Sequence, residues 1–243
     1  MLFHLRSQNK EMANRNILVV GGSSGIGFAL VEELLAAGDN VYVWSREERG
    51  LAALPGVHHY AVDVLTDELP KEELPEILHG FAYCPGSINL KPFRGLKPEQ
   101  FREEMEINLI GAVRCLQAVE RSFKKADQAS VVLFSTVAVQ RGMAFHAGVA
   151  AAKGAIEGLT RSLAAEWAPK IRVNALAPSL TDTPLAANLL ANDEKRQAMA
   201  ERHPLQKVAT AGEVARLAKY LLSEDAGFIT GQIIGIDGGK SAI

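Results

Sequence analysis

The run VVGGSSGIGFAL at residues 19–30 carries Gly21, Gly25 and Gly27 interleaved with Ser23, Ser24 and Ile26. It joins a short apolar stretch to a helical pattern. Glycine at such a junction permits a tight turn, lets the backbone approach a pyrophosphate, and allows a helix to pack closely on a strand. The helix that follows offers free N–H groups and the positive end of its dipole to the phosphates. A strand, this turn and a helix in that order point to dinucleotide binding. The next strand ends Trp44-Ser45-Arg46 rather than in an acidic residue that would take a ribose 2′-OH. A hydroxyl followed by a guanidinium suits a 2′-phosphate, so the expected cofactor is NADP(H) in preference to NAD(H). The plain alternative for Arg46 is a surface arginine. Asp63 and Val64 close the third strand, where the carboxylate either accepts from the adenine amino group or caps the next turn.

These residues need a sheet to position them. Apolar runs at 16–21, 40–45, 58–64, 80–86, 129–136, 172–179 and 232–239 read as strands. Helical patterns at 25–38, 98–125, 145–168 and 212–223 lie between them. Strands separated by helices of this length imply βαβ crossovers and a parallel sheet covered on both faces. The crossover at 65–79 contains Pro70 and Pro75, so its helix must be brief or broken. Residues 181–205 fall outside the sheet pattern and read as a cover over a site. The fold class is α/β, a doubly wound Rossmann-like parallel sheet in one domain. Residues 1–11 are expected to be a loose extension, and 12–243 the domain.

A net charge of −2, from 26 basic and 28 acidic residues, offers no basic surface for a nucleic acid or an anionic membrane. Two cysteines, Cys84 and Cys115, form no disulfide framework and read as buried thiols. The apolar runs are far shorter than the roughly 20 residues that span a bilayer. The N-terminal residues lack the apolar core of a secretory signal. The expected location is the cytoplasm.

The combined spacing resembles the short-chain dehydrogenases/reductases over residues 16–240. It carries Gly21, Gly25, Ile26 and Gly27, then Asp63-Val64, Ile107-Asn108-Leu109 with Gly111, Ser135-Thr136, Lys153, Pro178, Thr183, and Ile236-Asp237-Gly238-Gly239. The likeness is greatest to the branch containing the 3-oxoacyl-carrier-protein reductases. It implies a sheet of about seven strands, a homotetramer or homodimer, and catalysis by asparagine, serine, tyrosine and lysine. It also implies that the turn after strand four, here Tyr83-Cys84-Pro85-Gly86, and the positions of Pro178 and Thr183 meet the cofactor. In this chain Asn108 matches the asparagine and Lys153 the lysine, which would also bind the nicotinamide ribose. Thr136 stands in the serine position. The tyrosine position is Val149, which has no proton to give.

General acid catalysis contributes roughly 10²–10⁴-fold, so the missing tyrosine demands another donor. His146 lies seven residues before Lys153, two helical turns away on nearly the same face, and histidine as a residue type suits proton transfer near neutral pH. The enoyl-reductase branch resembles this arrangement, with its tyrosine at that offset. Lys153 itself, Tyr83 and Cys84 are further candidates. The reading is an NADP(H)-dependent oxidoreductase acting on a small carbonyl or conjugated acyl substrate with a non-standard acid. The alternative is a catalytically silent NADP(H)-binding subunit of the same fold.

Overall fold

The computed structural model describes residues 14–243. The extension expected at residues 1–11 lies outside the described residues. Seven strands form one parallel sheet: β1 (Asn16–Val20), β2 (Asn40–Ser45), β3 (Val57–Ala61), β4 (Gly80–Tyr83), β5 (Ala129–Phe134), β6 (Ile171–Pro178) and, last in the chain, β9 (Ile233–Ile236). Their spatial order is β3-β2-β1-β4-β5-β6-β9. The order reverses between β1 and β4, the place where a doubly wound sheet opens a crevice beyond its carboxyl edge. Two short strands, β7 (Thr181–Asp182) and β8 (Ala209–Thr210), pair separately.

Helices α1 (Gly25–Ala36) and α7 (Ala211–Leu222) cover one face, where Leu30, Val31, Leu34, Val214 and Leu221 meet Ile17, Val19, Val41 and Val43. The other face is covered by α3 (Gly111–Lys124) and α5 (Ala147–Trp167), with Leu116, Val119, Phe123, Ile156 and Trp167 against Leu18, Phe81, Val131 and Leu133, and α2 (Pro98–Met105) packs on α5. A short helix, α4 (Val137–Arg141), follows β5. Strands that are buried on both faces explain the uninterrupted apolar runs seen in the sequence. Among the described residues no helix is long and apolar enough to cross a membrane.

Several boundaries differ from the sequence reading. The third strand ends at Ala61, so Asp63 and Val64 sit in the turn beyond it. The crossover at 65–79 holds only a 3₁₀ turn at Lys71–Glu73, as its prolines require. The expected cover at 181–205 contains β7, a 3₁₀ segment (Pro184–Leu190) and α6 (Asp193–Ala200). Asn192 caps α6 by accepting from the Lys195 N–H at 2.8 Å, and Arg196 pairs with Asp182 at 2.6 Å. The exposed face of α5 carries small residues, including Ala151, Gly158 and Ala165. Among the described residues none of the large exposed apolar side chains belongs to this helix.

The largest difference is in the helical pattern at 98–125, which is not one helix. Residues Glu106–Ile110 form a π-helical turn between α2 and α3. There the Gly111 N–H donates to the Glu106 carbonyl, which frees the Ile107 carbonyl from the α-helical ladder. The Tyr83 hydroxyl donates to that carbonyl at 2.7 Å. A Cβ at position 111 would lie 2.2 Å from the Tyr83 oxygen, so only glycine fits.

Gly111→Ala is therefore expected to cost about 1–3 kcal/mol through overpacking. Tyr83→Phe leaves the Ile107 carbonyl unpaired and costs a similar amount, about 1–3 kcal/mol. The double variant should be more stable than the sum of the two single losses, because removing the hydroxyl opens the space that alanine needs. Denaturant unfolding of the four proteins measures this coupling; strict additivity would contradict the account.

Candidate active site

The crevice beyond β1 and β4 is a groove with a free volume of about 350 Å³. Its lining includes Gly21, Ser23, Ser24, Gly25, Ile26, Gly27, Ser45, Arg46, Asp63, Val64, Pro85, Gly86 and Thr183, all expected from the sequence to meet a cofactor. Pro178, also expected there, ends β6 in register with Ile236 and is not among the lining residues.

The turn is built for close approach. A Cβ on Gly27 would lie 2.3 Å from the Gly21 carbonyl oxygen, and Gly21 and Gly25 have φ of +75° and +55°. The Gly21 N–H donates to the Trp44 carbonyl at 2.7 Å, which anchors the turn to the end of β2. Helix α1 begins at this turn with no side-chain cap and no acidic residue in its first turn. Its leading N–H groups and dipole are thus available to an anion. Open donors at a helix start, glycines that admit a backbone-close ligand and a groove of this size fit a dinucleotide.

The adenosine end is more crowded than the sequence suggested. The Ser45 hydroxyl donates to the Glu47 carbonyl at 2.9 Å and lies 2.9 Å from His59 Nε2, so it is engaged within the protein. Arg46 remains exposed at the groove. Glu47 and Arg49 line the groove as well and pair at 2.8 Å; that hydrogen bond from Arg49 holds the Glu47 carboxyl below its ordinary range. Sequence reasoning passed over both residues because neither belongs to a strand or a regular motif. Asp63 serves the turn: its Oδ1 accepts from the Leu65 N–H at 3.0 Å.

At the other end of the groove two of the expected catalytic residues, Asn108 and Lys153, meet Gly86, although neither they nor Thr136 are lining residues of the groove. A Cβ on Gly86 would lie 3.2 Å from Asn108 Oδ1 and 3.5 Å from Lys153 Nζ, which brings the amide, the ammonium and the turn after β4 together. Asn108 is fully buried; its Nδ2 donates to the Glu104 carbonyl at 2.9 Å and so braces the bend between α2 and the π turn. With the amide in that orientation, Oδ1 has no partner among the described residues. Burial pulls the Lys153 ammonium down to about 8, partly opposed by Cys84 and Glu104. Val149, one turn before Lys153 on the same helix, is buried. Thr136 caps α4, its Oγ1 accepting from the Ala138 N–H at 3.3 Å, which leaves its own proton free to donate.

The candidate donors are placed differently. Tyr83 is buried with its hydroxyl committed to Ile107, and burial raises it well above an ordinary phenol. Cys84 lines the groove, and burial pushes its thiol up to about 12. His146 stands at the start of α5, half-buried, with Nδ1 2.8 Å from the Ala144 carbonyl and Nε2 without a partner among the described residues. It is not a lining residue of the groove. Two polar residues that the sequence reading missed, Ser87 and Glu104, are bonded to Asn108. Their signal was present: Glu104 lies four residues before Asn108, one helical turn away, and Ser87 directly follows Gly86.

A family model described as enoyl-(acyl carrier protein) reductase matches residues 20–241. A 2,5-dichloro-2,5-cyclohexadiene-1,4-diol dehydrogenase of Sphingobium indicum is 32% identical, with 96% of this chain and 99% of that protein aligned. The L-xylulose reductase of Bos taurus is 31% identical, covering 94% of this chain and 97% of the relative. Among solved structures, ElxO with NADP bound superposes with a TM-score of 0.87 at 26% identity, covering 95% of this chain and 100% of that one.

The lowered Lys153 value has a consequence for stability. An unfolded lysine titrates near 10.4, so between about 8 and that value the unfolded chain binds more protons than the folded one. Stability from this group therefore rises with pH through that window and is lowest below it. Lys153→Met should stabilise the cofactor-free protein at neutral pH by about 2–3 kcal/mol. The difference from wild type should shrink as pH rises towards 10. Denaturant unfolding of both proteins across this range checks the slope.

Proposed function

This chain belongs to the short-chain dehydrogenase/reductase family, and on that premise we propose that it is an NADP(H)-dependent oxidoreductase with a proton donor other than tyrosine. Its substrate is a small carbonyl or conjugated acyl compound. The observation that carries this reading is the convergence of Asn108 and Lys153 on Gly86, at the far end of a groove fitted to a dinucleotide. Bound NADPH supplies hydride at that end.

The remaining chemistry belongs to the chain. Lys153 presents a buried ammonium that favours an anionic oxygen and would hold the nicotinamide ribose hydroxyls. Thr136 offers a hydroxyl proton from the end of β5 and orients the substrate oxygen. Asn108 supplies an unpaired amide oxygen, an acceptor, beside Gly86. Residues Pro184 and Leu185 border the groove from the segment after β7. Arg46, with Arg49 nearby, favours the 2′-phosphate of NADP(H) over the bare hydroxyl of NAD(H).

The second reading is an NADP(H)-binding subunit without turnover, and Val149 favours it, because an apolar side chain in the first turn of α5 contributes no proton. In the first reading His146 is the donor suggested by spacing.

The cofactor preference is tested by calorimetry. NADPH should bind at least tenfold tighter than NADH, about 1.4 kcal/mol, and Arg46→Ala should remove most of that difference. Equal affinities would refute the assignment.

Turnover separates the two readings. The wild type should reduce members of a panel of diketone, 3-oxoacyl and enoyl probes, and His146→Phe tests the histidine directly by abolishing that reduction if Nε2 is the donor. If the wild type binds NADPH yet reduces nothing, while Val149→Tyr gains diketone reduction, the silent-subunit reading stands. A wild type that binds neither cofactor defeats both readings.

A further inference from the structure

Glu104 is 4% exposed in the last turn of α2, yet no ion pair to it is present among the described residues. Its carboxylate accepts a short hydrogen bond from the Ser87 hydroxyl and another from Asn108 Nδ2 at 3.0 Å. Asn108 Nδ2 also lies 3.1 Å from Ser87 Oγ, so the three side chains form a closed set. The Glu104 Cγ lies 3.5 Å from where a Cβ on Gly148 would stand, at the residue before Val149. Gly86, which precedes Ser87, is the residue on which Asn108 Oδ1 and Lys153 Nζ converge. A buried carboxylate without a cationic partner costs stability. An apolar side chain of similar size at this position would avoid that cost.

Resting on the hydride-transfer reading above, we propose that Ser87 and Glu104 are the proton-delivering pair of this site and replace the tyrosine that Val149 lacks. With Glu104 protonated, its O–H donates to Ser87 Oγ and the Ser87 hydroxyl is free to point at the substrate oxygen. Hydride adds to the carbonyl carbon, and the C=O π pair moves onto oxygen. That oxygen takes the Ser87 proton, and Ser87 takes the Glu104 proton. Glu104 is left as a carboxylate with the Ser87 hydroxyl and Asn108 Nδ2 as its hydrogen-bond partners, the two groups that the structure places against it. One proton from solvent restores it, so the sum is carbonyl plus NADPH plus H⁺ giving alcohol plus NADP⁺. The other titratable groups near Glu104 are Lys153 on α5, which interacts with it electrostatically, and Cys84, which interacts with Lys153 across the turn after β4. Ser87 is the catalytic residue of the pair, and Glu104 acts through it as a positioning and supplying residue.

The test uses the full chain with NADPH and a panel of diketone and 3-oxoacyl probes. Ser87→Ala and Glu104→Gln should each lower kcat by about 10²–10⁴-fold with NADPH affinity unchanged by calorimetry, and Ser87→Thr should restore most of the rate. Glu104→Gln keeps the hydrogen-bonding capacity and shape of the side chain, so a loss confined to kcat separates proton supply from folding. Independently of turnover, ¹³C NMR of the cofactor-free protein follows the Glu104 carboxyl, whose titration should move in Ser87→Ala. A carboxyl whose titration is indifferent to Ser87, or variants that reduce the probes at the wild-type rate, overturns the pair and leaves the hydride-transfer reading standing. A wild type that binds NADPH and reduces no probe overturns both.

Discussion

The hydrogen bond from the Tyr83 hydroxyl to the Ile107 carbonyl governs the polar end of the groove. A helix that continued unbroken from α2 into α3 would use that carbonyl internally, and the residues after it would keep the α-helical phase. The π turn releases the carbonyl and shifts the phase. Gly111 provides the room, since any side chain there would overlap the tyrosine oxygen. Asn108 lies inside this turn and is directed inward, where its amide reaches back to Glu104 and its oxygen faces Gly86. One buried hydroxyl on the end of β4 thus orders residues from three elements.

Desolvation then acts on the charges so gathered. Lys153 is buried and its ammonium titrates at about 8, well below the ordinary lysine value, so its proton is held more weakly than on a surface lysine. Cys84 is pushed the opposite way by the same burial. Burial disfavours whichever form carries charge, which makes an ammonium more acidic and a thiol less so. Glu104 brings negative charge into this space, and its nearby partners are neutral donors rather than cations. The polar network is connected through Asn108, and such networks are specified strongly because each unsatisfied member is costly.

At the opposite end of the groove the electrostatics are mixed. Arg46 is exposed, while Arg49 is paired with Glu47, so the positive field that a 2′-phosphate would meet is partly compensated within the loop after β2. This gives the guanidinium of Arg46 the leading role in any preference for NADP(H). The helix start at α1, by contrast, has no acidic residue to compete with a bound phosphate.

The alternation of strands and helices, the glycine turn and most residues lining the groove beyond β1 and β4 were legible in the sequence because each is a local pattern. Gly27 must be glycine as a matter of local geometry, and apolar strands follow from burial on both faces. Asn108 and Lys153 were recognisable by spacing, as was the apolar Val149 before the lysine. The break in the helix at 106–110 was not legible, because it depends on a tyrosine from a strand more than twenty residues earlier. The engagement of Ser45 by His59 and of Tyr83 by Ile107 was hidden for the same reason. Ser87 and Glu104 looked like a loop serine and one more acid on a charged helix face. Only the packing of α2 against α5 and the turn after β4 buries that carboxylate beside the lysine, and burial is a property of neighbours brought together in space.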